Sequence, residues 1–331
     1  MVIGANQEED NGQFAGAAYV FNAETGAQLY KLLAADGEEF DYFGYRVAVF
    51  GSTAVIAATG EDTGGYNAGA VYLFDVAAGI QTAKMLAPEA ASSDGFGQSL
   101  DIHGSTVLIG APNNDDLGGS TGSAYVFNAV DGSFVRKILG SGTNTSDNFG
   151  ASVAVHGTIA VVGAPGAAPR GRVYILDLAN ETEIAVIEFP ETAFNARFGS
   201  SVDTDGTTVI IGAENADGNQ AASGAAYLYD TAGNFLRKLT APDGRSSDVF
   251  GKYDVAVQGN LALVGAASHP NHGGTLAGSA YLFDVSTGTR IDEVWPNDTG
   301  DRDQFGRALA LSGSRALVSS PFDTRSGLPS A

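Results

Sequence analysis

Cysteine is absent from the 331 residues, and tryptophan and methionine occur only once and twice. Without cysteine there is no disulfide, thiolate metal site or cysteine nucleophile, so packing and backbone hydrogen bonding must hold the fold. Lysine and arginine are also scarce, 17 against 38 aspartates and glutamates, and the formal charge is −21. A surface this acidic repels the phosphates of nucleic acids and anionic lipid, and favours cations or neutral polar ligands. No apolar run approaches the roughly 20 residues of a membrane-spanning helix, and no basic region followed by an apolar one opens the chain. Neither nucleic-acid binding nor membrane insertion is expected. Histidine occurs only four times. No zinc-ligand spacing, phosphate loop, nucleophile elbow or serine, histidine and acid order stands out, so no organic cofactor is expected. Amphipathic helical stripes are missing as well.

Glycine, by contrast, is abundant, with 45 copies, and much of it is periodic. Phe-Gly occurs at 43–44, 96–97, 149–150, 198–199, 250–251 and 305–306, spaced by 53, 53, 49, 52 and 55 residues. After each pair comes an apolar strand such as SLDIHG (99–104), a tight turn, and a second strand such as TVLIGAP (106–112). A polar loop leads to a third strand of the form Gly-x-Ala-Tyr-Val-Phe, as in GSAYVF (122–127), and a short turn to a fourth, as in FVRKIL (134–139). Large and small side chains alternate with period two and are bounded by Gly, Asn and Asp, the pattern of short antiparallel strands. Four such strands per unit of about 50 residues predict an all-β propeller of four-stranded antiparallel blades.

Counting strands favours six blades in one domain over 1–331. Residues 1–40 and 305–331 would share a composite blade, with the others at 41–93, 94–146, 147–194, 195–247 and 248–304. The ring would close by pairing N- and C-terminal strands, leaving a surplus second strand; seven blades in a longer parent is the alternative.

The Phe-Gly openings and the Gly-Ala-Pro endings at 110–112 and 163–165 resemble the FG-GAP repeat of integrin α-subunit propellers and of many bacterial secreted or surface proteins. That resemblance implies a propeller used for adhesion or ligand binding, secreted or on a cell surface, bacterial in type, and often with calcium. Integrin-type repeats hold calcium in an Asp-x-Asp-x-Asp-Gly loop between the first and second strands. Only Asp203-Thr204-Asp205-Gly206 approaches that pattern, and two carboxylates fall short of the 6 to 8 oxygens calcium takes.

In a blade, the loops from strand two to three and the links from strand four onward emerge on one face, and more than half of the 38 acids fall there. That concentration makes Asp115, Asp116, Glu214, Asp217, Asp298, Asp301 and Asp303 the metal-ligand expectations, with Ca2+ as the cation. Another acid, two residues before Phe-Gly, recurs as Asp41, Asp94, Asp147, Asp248 and Asp303. Repetition marks it as structural, an Asp accepting hydrogen bonds from the backbone that follows.

Positions that break the repeat are the better candidates for ligand contact: Arg197, and the paired His269 and His272. Tyr42, Tyr66, Phe40 and Phe194 lie in the same loops and could stack against sugar rings. Three functions follow. The preferred one is a non-catalytic recognition or adhesion module binding a glycan or surface protein; the others are a polysaccharide-cleaving enzyme and an architectural repeat domain. Oligomeric state is not legible.

Overall fold

Strands form where β-branched and aromatic residues alternate between glycine-bearing turns. They are the only regular element among the residues the computed structural model describes, 1–270, 274–298 and 300–323. Two compact units divide the chain, Met1–Gly157 and Thr158–Ser330, where the sequence suggests one domain. In the first, Val2–Ala5, Ala17–Phe21 and Gln28–Leu32 form a three-stranded sheet. Two four-stranded antiparallel meanders follow. One comprises Phe43–Phe50, Thr53–Ala58, Ala70–Asp75 and Ile80–Met85; the other comprises Ser99–His103, Thr106–Ala111, Ser123–Asn128 and Phe134–Ile138. Ser152–His156 is the last strand of this unit.

The second unit opens with Ile159–Ala164, Arg172–Asp177 and Thr182–Glu188. Its meanders are Phe198–Thr204, Thr208–Ala213, Ala225–Asp230, Phe235–Leu239, and then Val255–Gln258, Leu261–Ala266, Ser279–Asp284, Arg290–Val294. Each is the expected propeller blade. A hairpin of Leu309–Ser312 with Arg315–Val318 comes last.

Of the segments expected to share a composite blade, 1–40 forms a three-stranded sheet in the first unit and 305–323 a hairpin in the second. Val2–Ala5 and Arg315–Val318 are both second-strand copies, so the two would compete for one place in a shared blade.

The repeat motif has a steric cause. The third-strand Gly122 pairs in parallel with Phe149 of the next repeat. A Cβ on Gly122 would lie 2.2 Å from the Phe149 carbonyl oxygen, and one on Gly110 only 2.0 Å from that of Gly150. Backbone therefore meets backbone where the glycines of one repeat abut the Phe-Gly of the next. Gly4 against Gly44, Gly212 against Gly251 and Gly265 against Gly306 repeat the contact.

The phenylalanine ring turns into its own blade and meets the third-strand tyrosine edge-on. Phe43–Tyr72, Phe96–Tyr125 and Phe198–Tyr227 have centroids 5.5, 5.5 and 5.7 Å apart at interplanar angles of 73°, 76° and 78°. All six side chains are fully buried, and each such pair contributes on the order of 1 kcal/mol beyond its area.

The acid before Phe-Gly is structural, but its donor lies upstream. Asp41, Asp94, Asp147, Asp248 and Asp303 accept the amide three residues earlier, from Glu38, Ala91, Asn144, Arg245 and Gly300, at 2.8, 3.0, 2.8, 2.6 and 2.5 Å. In four of these units the residue after the acid is left-handed and not glycine (Tyr42 φ 55, Asn148 φ 56, Val249 φ 55, Gln304 φ 54), which turns the downstream backbone away. Buried Ala196 holds the place in the remaining unit.

Candidate functional site

On the loop side of the blades the third-strand tyrosine faces a fourth-strand lysine in the antiparallel ladder. Tyr19 pairs with Lys31, Tyr72 with Lys84, Tyr125 with Lys137 and Tyr227 with Lys238. Each ammonium lies 5.4–5.6 Å from the ring centroid, within cation–π range.

Beyond the ring the ammonium meets loop carboxylates. Lys84 Nζ is 2.6 Å from Asp36 and 2.7 Å from Glu61. Lys31 holds Glu8 at 2.7 Å and also Asp10, Lys137 holds Asp116 and Glu89, and Lys238 holds Glu191 at 2.6 Å. Burial alone would lower the pKa of Lys84, but hydrogen bonds to Asp36 and Glu61 outweigh it and hold the ammonium above its ordinary range. For Asp116 the hydrogen bond from Lys137 dominates and keeps the carboxyl below its ordinary value. In four repeats the fourth-strand lysine thus offsets loop acids of its own repeat or of the one before.

The blade that begins at Phe250 inverts this pattern. Its tyrosine, Tyr281, faces Glu293 where four other blades present lysine and one, at Tyr174, presents Val186. The loop residue whose carbonyl accepts the glycine amide opening the third strand is Glu8, Glu61, Asn114, Ala167, Ala216 and, here, His269. His269 is buried at 5% exposure. Its Nδ1 lies 2.6 Å from Asp248 Oδ2 and its Nε2 3.6 Å from Asp243 Oδ2.

Asp243 Oδ1 accepts the Tyr281 hydroxyl at 3.0 Å. Glu293 accepts Ser279 Oγ and Arg290 Nη1, each at 3.1 Å. One ligand atom each from Asp243, His269 and Glu293 lies within 4.8 Å of the others, which makes this the one such group of three among the described residues. Desolvation pulls the His269 pKa down, but the Asp248 hydrogen bond and the charges of Asp248, Asp243 and Glu293 outweigh it and raise it. Burial, then Glu293 and Asp243, raise that of Tyr281, so its phenol stays a donor.

The acids expected to bind metal lie elsewhere. Asp115 is exposed, and Asp116 pairs with Lys137. Glu214 is buried between Arg197 at 2.5 Å and Lys252 at 2.7 Å, so Arg197 serves an internal pair. Asp217 accepts the Ala222 amide at 3.0 Å. Asp301 accepts Thr275 N at 2.8 Å and Thr275 Oγ1 at 2.5 Å. Asp298 is exposed, and Asp303 is buried against Gly300. His272 lies outside the described residues.

Of the aromatics, Phe194 is 81% exposed and Tyr66 69%. Phe40, 44% exposed, and Tyr42 join Phe14 in a surface cluster. Phe14–Phe40 and Phe14–Tyr42 centroids are each 6.0 Å apart, and the latter rings are stacked at 14°.

Sequence reasoning passed over Asp243, Glu293 and Tyr281. The available signal was the fourth-strand alignment, in which Lys31, Lys84, Lys137 and Lys238 give way to Glu293.

These blades, with Phe-Gly set against glycine at every junction, define a protein of the propeller-repeat class. The family model described as "FG-GAP repeat" matches residues 27–74, 80–127, 133–176, 182–229 and 234–283, and the chain belongs to this family. Among solved structures, the crystal structure of the computationally designed Ika8 protein is similar with a TM-score of 0.56 at 16% identity, covering 95% of this chain and 79% of that one. That likeness concerns the fold alone. No curated protein matches the chain. FG-GAP repeats are typical of extracellular proteins, and among the described residues no helix is long and apolar enough to cross a membrane.

Proposed function

We propose that the chain is a non-catalytic recognition module, secreted or displayed on a cell surface, that holds a glycan or protein ligand on the loop side of its blades. The observation that carries this reading is the surface cluster of Phe14, Phe40 and Tyr42. Aromatic rings left partly in water forgo burial, and flat faces of this kind suit the apolar faces of sugar rings. Left-handed backbone at Phe40 and Tyr42 (φ 68 and 55) fixes where the rings stand, so the platform is built before a ligand arrives. Tyr66, in the next loop of the same unit, adds a second exposed ring.

A glycan array read with and without calcium tests the proposal. Binding by the wild type that falls at least tenfold in Phe40→Ala, with an unchanged thermal midpoint, is the expected result. Silence toward every sugar and every surface-protein extract would overturn it and leave an architectural role. Loss of binding on chelation would add calcium as a helper.

A further inference from the structure

We propose that Asp243, His269 and Glu293 form a binding site for a zinc-class divalent cation, which takes the place of the lysine ammonium of the sister blades. This goes beyond the recognition reading and does not depend on it. Three observations converge on it.

The first is the repeat itself. Lys31, Lys84, Lys137 and Lys238 bring an ammonium over the third-strand tyrosine and into the loop acids. The link acid of the preceding repeat, Asp36 for Lys84 and Glu191 for Lys238, closes on that charge. Asp243 is the link acid for the blade of Tyr281, but the fourth strand there brings Glu293, a second carboxylate. Among the described residues Arg290, 39% exposed, is the one arginine or lysine on this pair, and a divalent ion supplies between the acids the charge that lysine brings in the sister blades.

The second is the histidine. Asp248 holds Nδ1 at 2.6 Å, and the buried ring is thereby oriented with Nε2 toward Asp243. A carboxylate on the far nitrogen is the usual way a metal-binding imidazole is fixed. The 3.6 Å from Nε2 to Asp243 Oδ2 is longer than a hydrogen bond. It is close to the roughly 3.3 Å that separates two ligands placed about 2.0 Å from a tetrahedral ion.

The third is the donor set. One imidazole and two carboxylates suit zinc and its neighbours, whereas calcium asks for six or more oxygens. Tyr281 on Asp243, and Ser279 and Arg290 on Glu293, hold the carboxylates by hydrogen bonds beside the histidine, at the edge of solvent. Water would complete the coordination.

The test is calorimetric titration of the chelator-treated full chain with Zn2+, alongside Glu293→Lys and His269→Asn. Glu293→Lys restores the residue that four sister blades carry, and its thermal midpoint checks that it folds. His269→Asn places at this position the residue found as Asn114 in a sister blade. The expected result is one equivalent of Zn2+ bound by the wild type and lost in both variants, with a zinc-dependent rise in thermal midpoint in the wild type alone. Titrations that superimpose across the three proteins would mark the zinc as adventitious on an acidic surface and overturn the proposal. So would a wild type that takes up none.

Discussion

Glu293 stands opposite Tyr281 in the same register in which Lys84 stands opposite Tyr72. The same ladder position therefore carries opposite charge in two blades of one chain, and the surrounding groups have changed with it. Glu61 on the Lys84 side corresponds to His269 on the Glu293 side, while Asp36 and Asp243 keep the same sign.

Exchanging the two arrangements should expose their coupling. Lys84→Ala removes the ammonium from Glu61, which is buried and pairs with it at 2.7 Å. Leaving a buried carboxylate unpaired should cost about 3 kcal/mol, well above the ~0.5 kcal/mol of an exposed ion pair. In the other blade, His269→Glu combined with Glu293→Lys rebuilds the pair found at Glu61 and Lys84. A double-mutant cycle in urea should give a favourable coupling of about 1 kcal/mol between the two changes. Strictly additive effects would show that the two positions do not act as one pair.

The blades were legible in the sequence because their determinants are local: glycine where backbones touch, a buried tyrosine in the third strand, and turns that recur about every 50 residues. Charge pairing was not, because its partners are distant. Glu61 and Asp36 meet Lys84 across 23 and 48 residues, through the ladder register and the approach of a neighbouring blade. A tally of loop acids misses that fourth-strand lysines pair with several of them. For the same reason the ion pairs of Asp116 with Lys137 and of Glu214 with Lys252 are invisible in a list of loop acids. Such separation also hid the His269 group, whose three ligand residues come from two repeats.

The glycines that define the family should separate into two classes on substitution. Gly110 to Ala would drive a Cβ to 2.0 Å from the Gly150 carbonyl oxygen, a backbone atom that accepts Ser99 Oγ and follows the Phe149 bridge to Gly122. Overpacking against backbone that cannot yield should cost about 3 kcal/mol or more. Gly104, in the hairpin turn at φ 61, has nothing near its Cβ position. Gly104→Ala should cost only the left-handed strain, on the order of 1 kcal/mol. Urea midpoints of the two variants compare them directly, and equal losses would show that the repeat glycines serve turn conformation rather than close approach.

Asp41 should make stability depend on pH in a sense opposite to most carboxylates. Burial, with added repulsion from Glu61 and Glu38, pushes its pKa up to about 6 although the Glu38 amide lowers it. An unfolded aspartate titrates near 4, so between roughly pH 4 and 6 the folded chain binds the extra proton, and stability contributed by this residue falls as pH rises through that window. Asp41→Asn keeps an oxygen for the Glu38 amide and removes the charge. Its stability relative to wild type should therefore improve steadily from pH 4 to pH 7, measured by urea unfolding at each pH. A difference that stays flat across the window would mean that the carboxyl is not destabilised by its burial. A loss in Asp41→Ala at every pH would separate the capping hydrogen bond, needed in both charge states, from the cost of the charge itself.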